Sequence, residues 1–197
     1  MRSGIVLMSV LSLLAAAAQA ADWEIDPAHS SIGFSVKHLM ITNVKGGFTN
    51  FSGSASFDPA GLTQFAVEAK IDAASVDTGS GMRDNHLRGP DFFDVKKYPE
   101  ISFKSKELKK DGDGYVLTGE LTMHGVTQPM TLQVQGLGTP IVFMGTTRTA
   151  LSATGKILRD KFGLTWNKAI EAGSVVGNEV QVSADIELVQ KAKPATP

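Results

Sequence analysis

The side chains best suited to chemistry crowd into one stretch, Met82-Arg83-Asp84-Asn85-His86-Leu87-Arg88, followed by Pro90-Asp91-Phe92-Phe93-Asp94. Three kinds of chemistry are open to it. His86 with Asp84 could act as an acid/base pair. Arg83 and His86 could donate hydrogen bonds to a carbonyl, phenol or phosphate oxygen. Asp84 could instead pair with Arg83 or Arg88, and His86 could tie the segment to its surroundings. Nucleophilic catalysis would need an activated Ser, Thr or Cys beside the base. The chain has no Cys, and no Gly-x-Ser-x-Gly elbow occurs. Ser75 and Ser80 are near in sequence but carry no motif, so no catalytic residue is assigned. The four histidines, at 29, 38, 86 and 124, are isolated from one another. None has the spacing of a zinc motif, so no metal ligands are assigned.

Alternating strands must position this segment. Ile32, Phe34 and Val36 alternate with small or polar residues, as do Phe51 to Phe57, Phe65 to Ile71, Tyr115 to Met123, Met130 to Val134 and Val180 to Leu188. Ile101 and Phe103 mark another strand, Trp23 to Ile25 an opening one, and Val142 to Ile157 is expected to add one more. Asp58-Pro59-Ala60-Gly61, Asp111-Gly112-Asp113-Gly114 and His124-Gly125 are turn signals. No βαβ spacing appears, which predicts an antiparallel sheet. Gly79 to Arg88 lacks alternation and predicts one short helix near 79–89. A second helical turn fits Leu158 to Phe162. The fold class is therefore all-β, with about eight strands forming a barrel or a two-sheet sandwich. Small residues on the apolar faces (Gly53, Ala55, Ala69, Gly119, Ala184) either leave room inside a barrel or relieve crowding at a bend.

The first residues read as an export signal: Arg2, an apolar run from Ile5 to Ala18, and the small-x-small site Ala18-Gln19-Ala20. Cleavage after Ala20 and a periplasmic location are expected, with no transmembrane anchor in the mature chain. Residues 191–197 read as a flexible tail, leaving 21–190 as one domain. The whole chain has 19 basic and 20 acidic side chains, so without Arg2 the acidic excess is two. That balance is not the basic signature of a nucleic-acid binder. Without disulfides, the mature chain must rely on its own core, for which its length suffices.

The ordered motifs Arg83-Asp84-x-His86-Leu87, Asp91-Phe92-Phe93-Asp94-Val95 and Tyr98-Pro99-x-Ile101-x-Phe103 resemble the central signature of the YceI-like family. Trp23 to Ser30, Ile32 to Leu39, Val44 to Phe48, Ile71 to Gly79, Gly119 to Thr127 and Arg159-x-x-Phe162-Gly163-Leu164 follow the same family order. The resemblance implies an extended antiparallel, lipocalin-like barrel that holds a long isoprenoid or other lipid chain in its cavity, with homodimers common among relatives. No cofactor is implied beyond the lipid itself. On this reading Phe34, Val36, Leu121, Leu132 and Val134, mid-strand on apolar faces, are expected to contact the chain. His38, Arg83, His86, Phe92 and Phe93 are expected at the mouth, the two phenylalanines as a lid. A binding protein that sequesters or transports the lipid is the leading expectation. The alternatives are a lipid hydrolase or isomerase using His86 and Asp84, and a cavity-free domain acting through its surface.

Overall fold

The computed structural model describes residues 21–58, 62, 65–167, 169–170 and 173–192. The expected signal segment, the centre of the Pro59–Gly61 turn and residues 193–197 of the expected tail lie outside the described residues.

The described chain has fourteen strands, the longer of which follow the alternation of the sequence: β1 (Ala21–Ile25), β2 (Ser31–His38), β3 (Thr42–Phe48), β4 (Phe51–Phe57), β5 (Ala66–Asp72), β6 (Val76–Asp77), β7 (Glu100–Asp111), β8 (Gly114–Met123), β9 (Val126–Gln135), β10 (Ile141–Phe143), β11 (Thr146–Leu158), β12 (Ala169–Ile170), β13 (Gly173–Ser174) and β14 (Val176–Gln190). One α-helix, α1 (Gly81–Arg88), interrupts them where alternation fails. A 3-10 turn occupies Arg159–Phe162, ended by Gly163 at φ 77°. The region read as a single strand from Val142 to Ile157 is a hairpin instead. Met144 and Gly145 both have positive φ and turn β10 back onto β11.

All pairings are antiparallel. Strands β11, β9, β8, β7, β5, β4, β1 and β14 are neighbours in that order, and β11 pairs again with β14, closing an eight-stranded barrel. Closure removes the open edges of a flat sheet. The long β14 makes this possible. On one side it pairs with β11 from Glu179 to Val189. On the other it meets β2 along its first two-thirds and β1 at its end. Beyond β2 the wall continues through β3 to β6. The segment from α1 to Pro99 fills this end, with Phe93 and Val95 packed on a cluster that includes Phe51, Ile71, Ile101, Met123 and Phe162.

At the far end Trp23 is fully buried and stacks on Phe57 at 5.2 Å. Arg148 donates to Asp26 and Glu187 beside them. Two of the small residues do not leave space. A Cβ at Gly119 would lie 2.5 Å from the Phe103 ring and from the Lys104 carbonyl, and one at Gly53 would lie 2.5 Å from the Glu68 carbonyl and 2.7 Å from Ile25. These glycines admit a neighbour's side chain against the sheet. Ala55, Ala69 and Ala184 line open volume.

Candidate functional site

The barrel encloses a cavity of about 400 Å³, within the range of small-molecule sites. Its walls are almost wholly apolar. From Val176 to Leu188, β14 lines it along nearly its full length. At about 3.3 Å per residue that is about 40 Å of strand, or roughly 30 Å along the axis at the tilt of a barrel strand. Phe34, Val36, Val180, Val182 and Ala184 line the cavity and are only half-buried. A filled core would have buried them to the level of Trp23 or Val134. Registers set Val36 opposite Val180, Phe34 opposite Val182 and Ile32 opposite Ala184, so one strip of side chains runs inward from the β2 end.

Polar groups gather at that end. Asp84, 6% exposed, accepts from Thr78 N at 2.9 Å and from Thr78 Oγ1 at 2.6 Å. The same hydroxyl accepts from Arg83 Nε at 2.7 Å, and Arg83 Nη2 donates to the Thr78 carbonyl at 2.9 Å. Asp84 therefore fixes the start of α1 through Thr78, not through either arginine. Arg88 ties the end of α1 to the barrel, donating to the carbonyls of Ala74 and Val76 at 2.7 Å each. His86 Nε2 lies 2.9 Å from Asp91 Oδ2, and its ring stands edge-on to Phe92 and Trp166, each at 5.0 Å. The acid/base pair considered from the sequence is not formed: the carboxylate on His86 is Asp91, while Asp84 faces Thr78.

Arg159 lies beneath this group. It is 6% exposed and donates to the main-chain carbonyls of Gly177, Leu164, Trp166 and Val176. Burial, the larger effect, pulls its pKa below the usual guanidinium value, against the opposing charge of the exposed Asp160. Its four bonds gather the irregular Leu164–Trp166 segment and the start of β14 around one side chain. The β2–β3 turn joins the same end, with Leu39 N donating to the Val175 carbonyl at 2.8 Å.

The structure thus brings Phe34, Val36, His38, Arg83, His86, Phe92, Phe93, Leu121 and Leu132 into one cavity wall. Val134 is not among them: 1% exposed, it packs with Leu117 and Ala153. Phe92 packs beside Trp166, and Phe93 meets Phe48 at 5.8 Å. Trp166, Arg159, Thr78 and Leu87 also line the cavity. Sequence reasoning missed Trp166 because it sits outside any periodic run; that it is one of only two tryptophans was the available signal. Elsewhere, Asp26, His29 and Glu187 bring donor atoms within 4.8 Å of one another. Arg148 already bonds both carboxylates. With His29, the first cause, it lowers the Asp26 pKa to about 2.

The YceI-like domain model matches residues 23–188. A UPF0312 protein of Photorhabdus laumondii is 42% identical over 149 residues, 75% of this chain and 78% of that protein. Among solved structures, Burkholderia cenocepacia BcnA is 30% identical with a TM-score of 0.70, covering 83% of this chain and 98% of its own. A polyisoprenoid binding domain from Saccharophagus degradans shares the fold at 17% identity and a TM-score of 0.60, over 86% of this chain and 98% of that one. The ordered motifs, the closed barrel and the family match agree, and the chain belongs to the YceI-like family.

Proposed function

We propose that this protein binds a long-chain amphiphilic lipid, an isoprenoid quinone, its precursor or a related polyisoprenoid, and sequesters or carries it in the periplasm. The observation that carries this reading is the half-buried strip of apolar side chains facing an enclosed cavity with its polar groups at one end. Each methylene moved from water into such a wall gains about 0.8 kcal/mol. The polyisoprenoid binding domain of Saccharophagus degradans, with the same fold, supports the choice of ligand class. In this reading the chain lies along Phe34, Val36, Leu121 and Leu132, and the head meets His38, Arg83 and His86. Phe92 and Phe93 close over it.

Binding without turnover suits the mouth better than catalysis. Among the described residues no hydroxyl hydrogen-bonds to the imidazole of His86, and the hydroxyl of Ser75 is turned to the main-chain carbonyls of Asn50 and Asp72. Among the described residues no helix is long and apolar enough to cross a membrane. The test is organic extraction of the purified protein followed by mass spectrometry. A prenyl or fatty chain at near one per protein is expected. Absence of any chain from the native protein, together with failure of the stripped protein to take up a prenol, would overturn the reading.

A further inference from the structure

Every charged or titratable side chain in the cavity wall is of one kind. His38, Arg83, His86 and Arg159 present their side chains to it, and no Asp or Glu among the described residues lines it. The chain as a whole is slightly acidic, so this sorting is local. Two carboxylates at this end are committed to the protein, Asp84 accepting twice from Thr78 and Asp91 holding His86, while Asp160 beside Arg159 is exposed.

Three of these groups, His38, His86 and Arg159, are linked through one side chain. Arg159 donates to the carbonyl of Val176, the residue paired with His38 across β2 and β14. It donates as well to the carbonyl of Trp166, whose ring lies against that of His86. Its guanidinium is buried and donates to four main-chain carbonyls; no described carboxylate forms an ion pair with it. Carbonyl dipoles satisfy the N–H groups, and the positive charge is offset only through space, by the exposed carboxylate of Asp160. A buried cation without a counter-ion is costly, and an anion brought to it in water-poor surroundings is attracted far more strongly than in bulk water.

From this we infer that the cavity selects amphiphiles whose head is an oxyanion, a carboxylate or phosphate, over uncharged heads on the same chain, the anion entering between Arg83, His38 and Arg159. The inference rests on the reading of the cavity as a lipid site and narrows its ligand class to chains with an anionic head, setting a phosphorylated precursor ahead of a neutral quinone.

The experiment uses the full mature chain stripped of lipid. Binding of dodecanoate, dodecyl phosphate and dodecanol is measured by displacement of a neutral fluorescent alkyl probe at mildly alkaline pH. At least one anion should bind about tenfold or more tightly than the alcohol, the range that charge-assisted hydrogen bonds supply. Preference for only one anion identifies which head the site accepts. Arg83→Gln should lower the anion-to-alcohol ratio severalfold with the melting temperature recorded alongside. Arg83→Lys, which keeps the charge, should recover most of that ratio, and a ratio unchanged in Arg83→Gln would overturn the inference. Equal binding of alcohol and both anions would overturn the inference and leave the lipid site standing. Failure of the probe and of all three ligands to bind would instead overturn the lipid reading itself.

Discussion

Replacing Leu132 with Trp tests whether the wall of the barrel faces empty space or a core. Leu132 is half-buried on β9, opposite Leu117 on one side and Gly155 on the other, and lines the cavity. The indole brings about six more non-hydrogen atoms; if it displaced as many methylenes of a bound chain, the loss at about 0.8 kcal/mol each would be about 5 kcal/mol. A flexible chain refits, and retaining half of that burial leaves a loss of about 2.4 kcal/mol, roughly fiftyfold in affinity. Over-packing a filled core costs about 1–3 kcal/mol, which in a domain of this size lowers the melting temperature by about 2–4 °C per kcal/mol. In a void the new ring has room, so the melting temperature should move by less than about 2 °C. The assay is paired: displacement titration with a prenol, and thermal unfolding of the stripped protein. Large destabilisation with unchanged affinity would refute the reasoning and make Leu132 an ordinary core residue.

Further outcomes are expected elsewhere. Arg88→Ala removes two charged donors that tie α1 to Ala74 and Val76; it should cost about 2–4 kcal/mol and speed amide exchange over residues 81–99, measured by mass spectrometry. Gly119→Ala forces a methyl into the Phe103 ring and the Lys104 carbonyl and should destabilise by about 1–3 kcal/mol in urea unfolding. Asp26, held at about 2 by His29 and Arg148, is depressed in the fold. Its contribution is present above the unfolded carboxylate value and is lost as the pH falls through the folded one. Asp26→Asn should therefore flatten the loss of stability between about pH 4 and pH 2, read as urea midpoints across that range.

The strands were legible because each buries one face, and a period of two survives wherever the barrel wall is regular. Depth along the barrel was not legible. Leu132 and Val134 share a face and lie two residues apart, yet one borders the cavity and the other is sealed between Leu117 and Ala153. Alternation reports which side a residue faces, not how far down it sits. The small residues were ambiguous for a related reason. Ala184 opens space, but Gly119 exists to admit the Phe103 ring, a relation visible only across the strand pair. Cluster chemistry around α1 was plain in the sequence, while its wiring was not: Asp84 answers to Thr78, six residues back, and His86 to Asp91. Arg159 and Trp166 fell outside the expected site because their positions depend on carbonyls of an irregular segment that has no repeating pattern.

The double partnership of β14 also sets the order of events in folding. Trp23 on β1 lies opposite Gln190, and β2 meets the first two-thirds of the same strand, while β11 takes its other side. The cylinder therefore cannot seal until nearly the whole described chain has been made. The hairpins formed by β7, β8 and β9 can assemble early, but β1 and β11 must wait with unpaired edges. Such late, long-range closure belongs to the slow end of the folding spectrum, milliseconds to seconds, and leaves those edges open to pairing with other chains in the interval. Truncation within β14 should then yield aggregates, not a smaller barrel. An apolar ligand present during refolding would meet the interior before the last stave is in place, so its capture and barrel closure can be a single kinetic step.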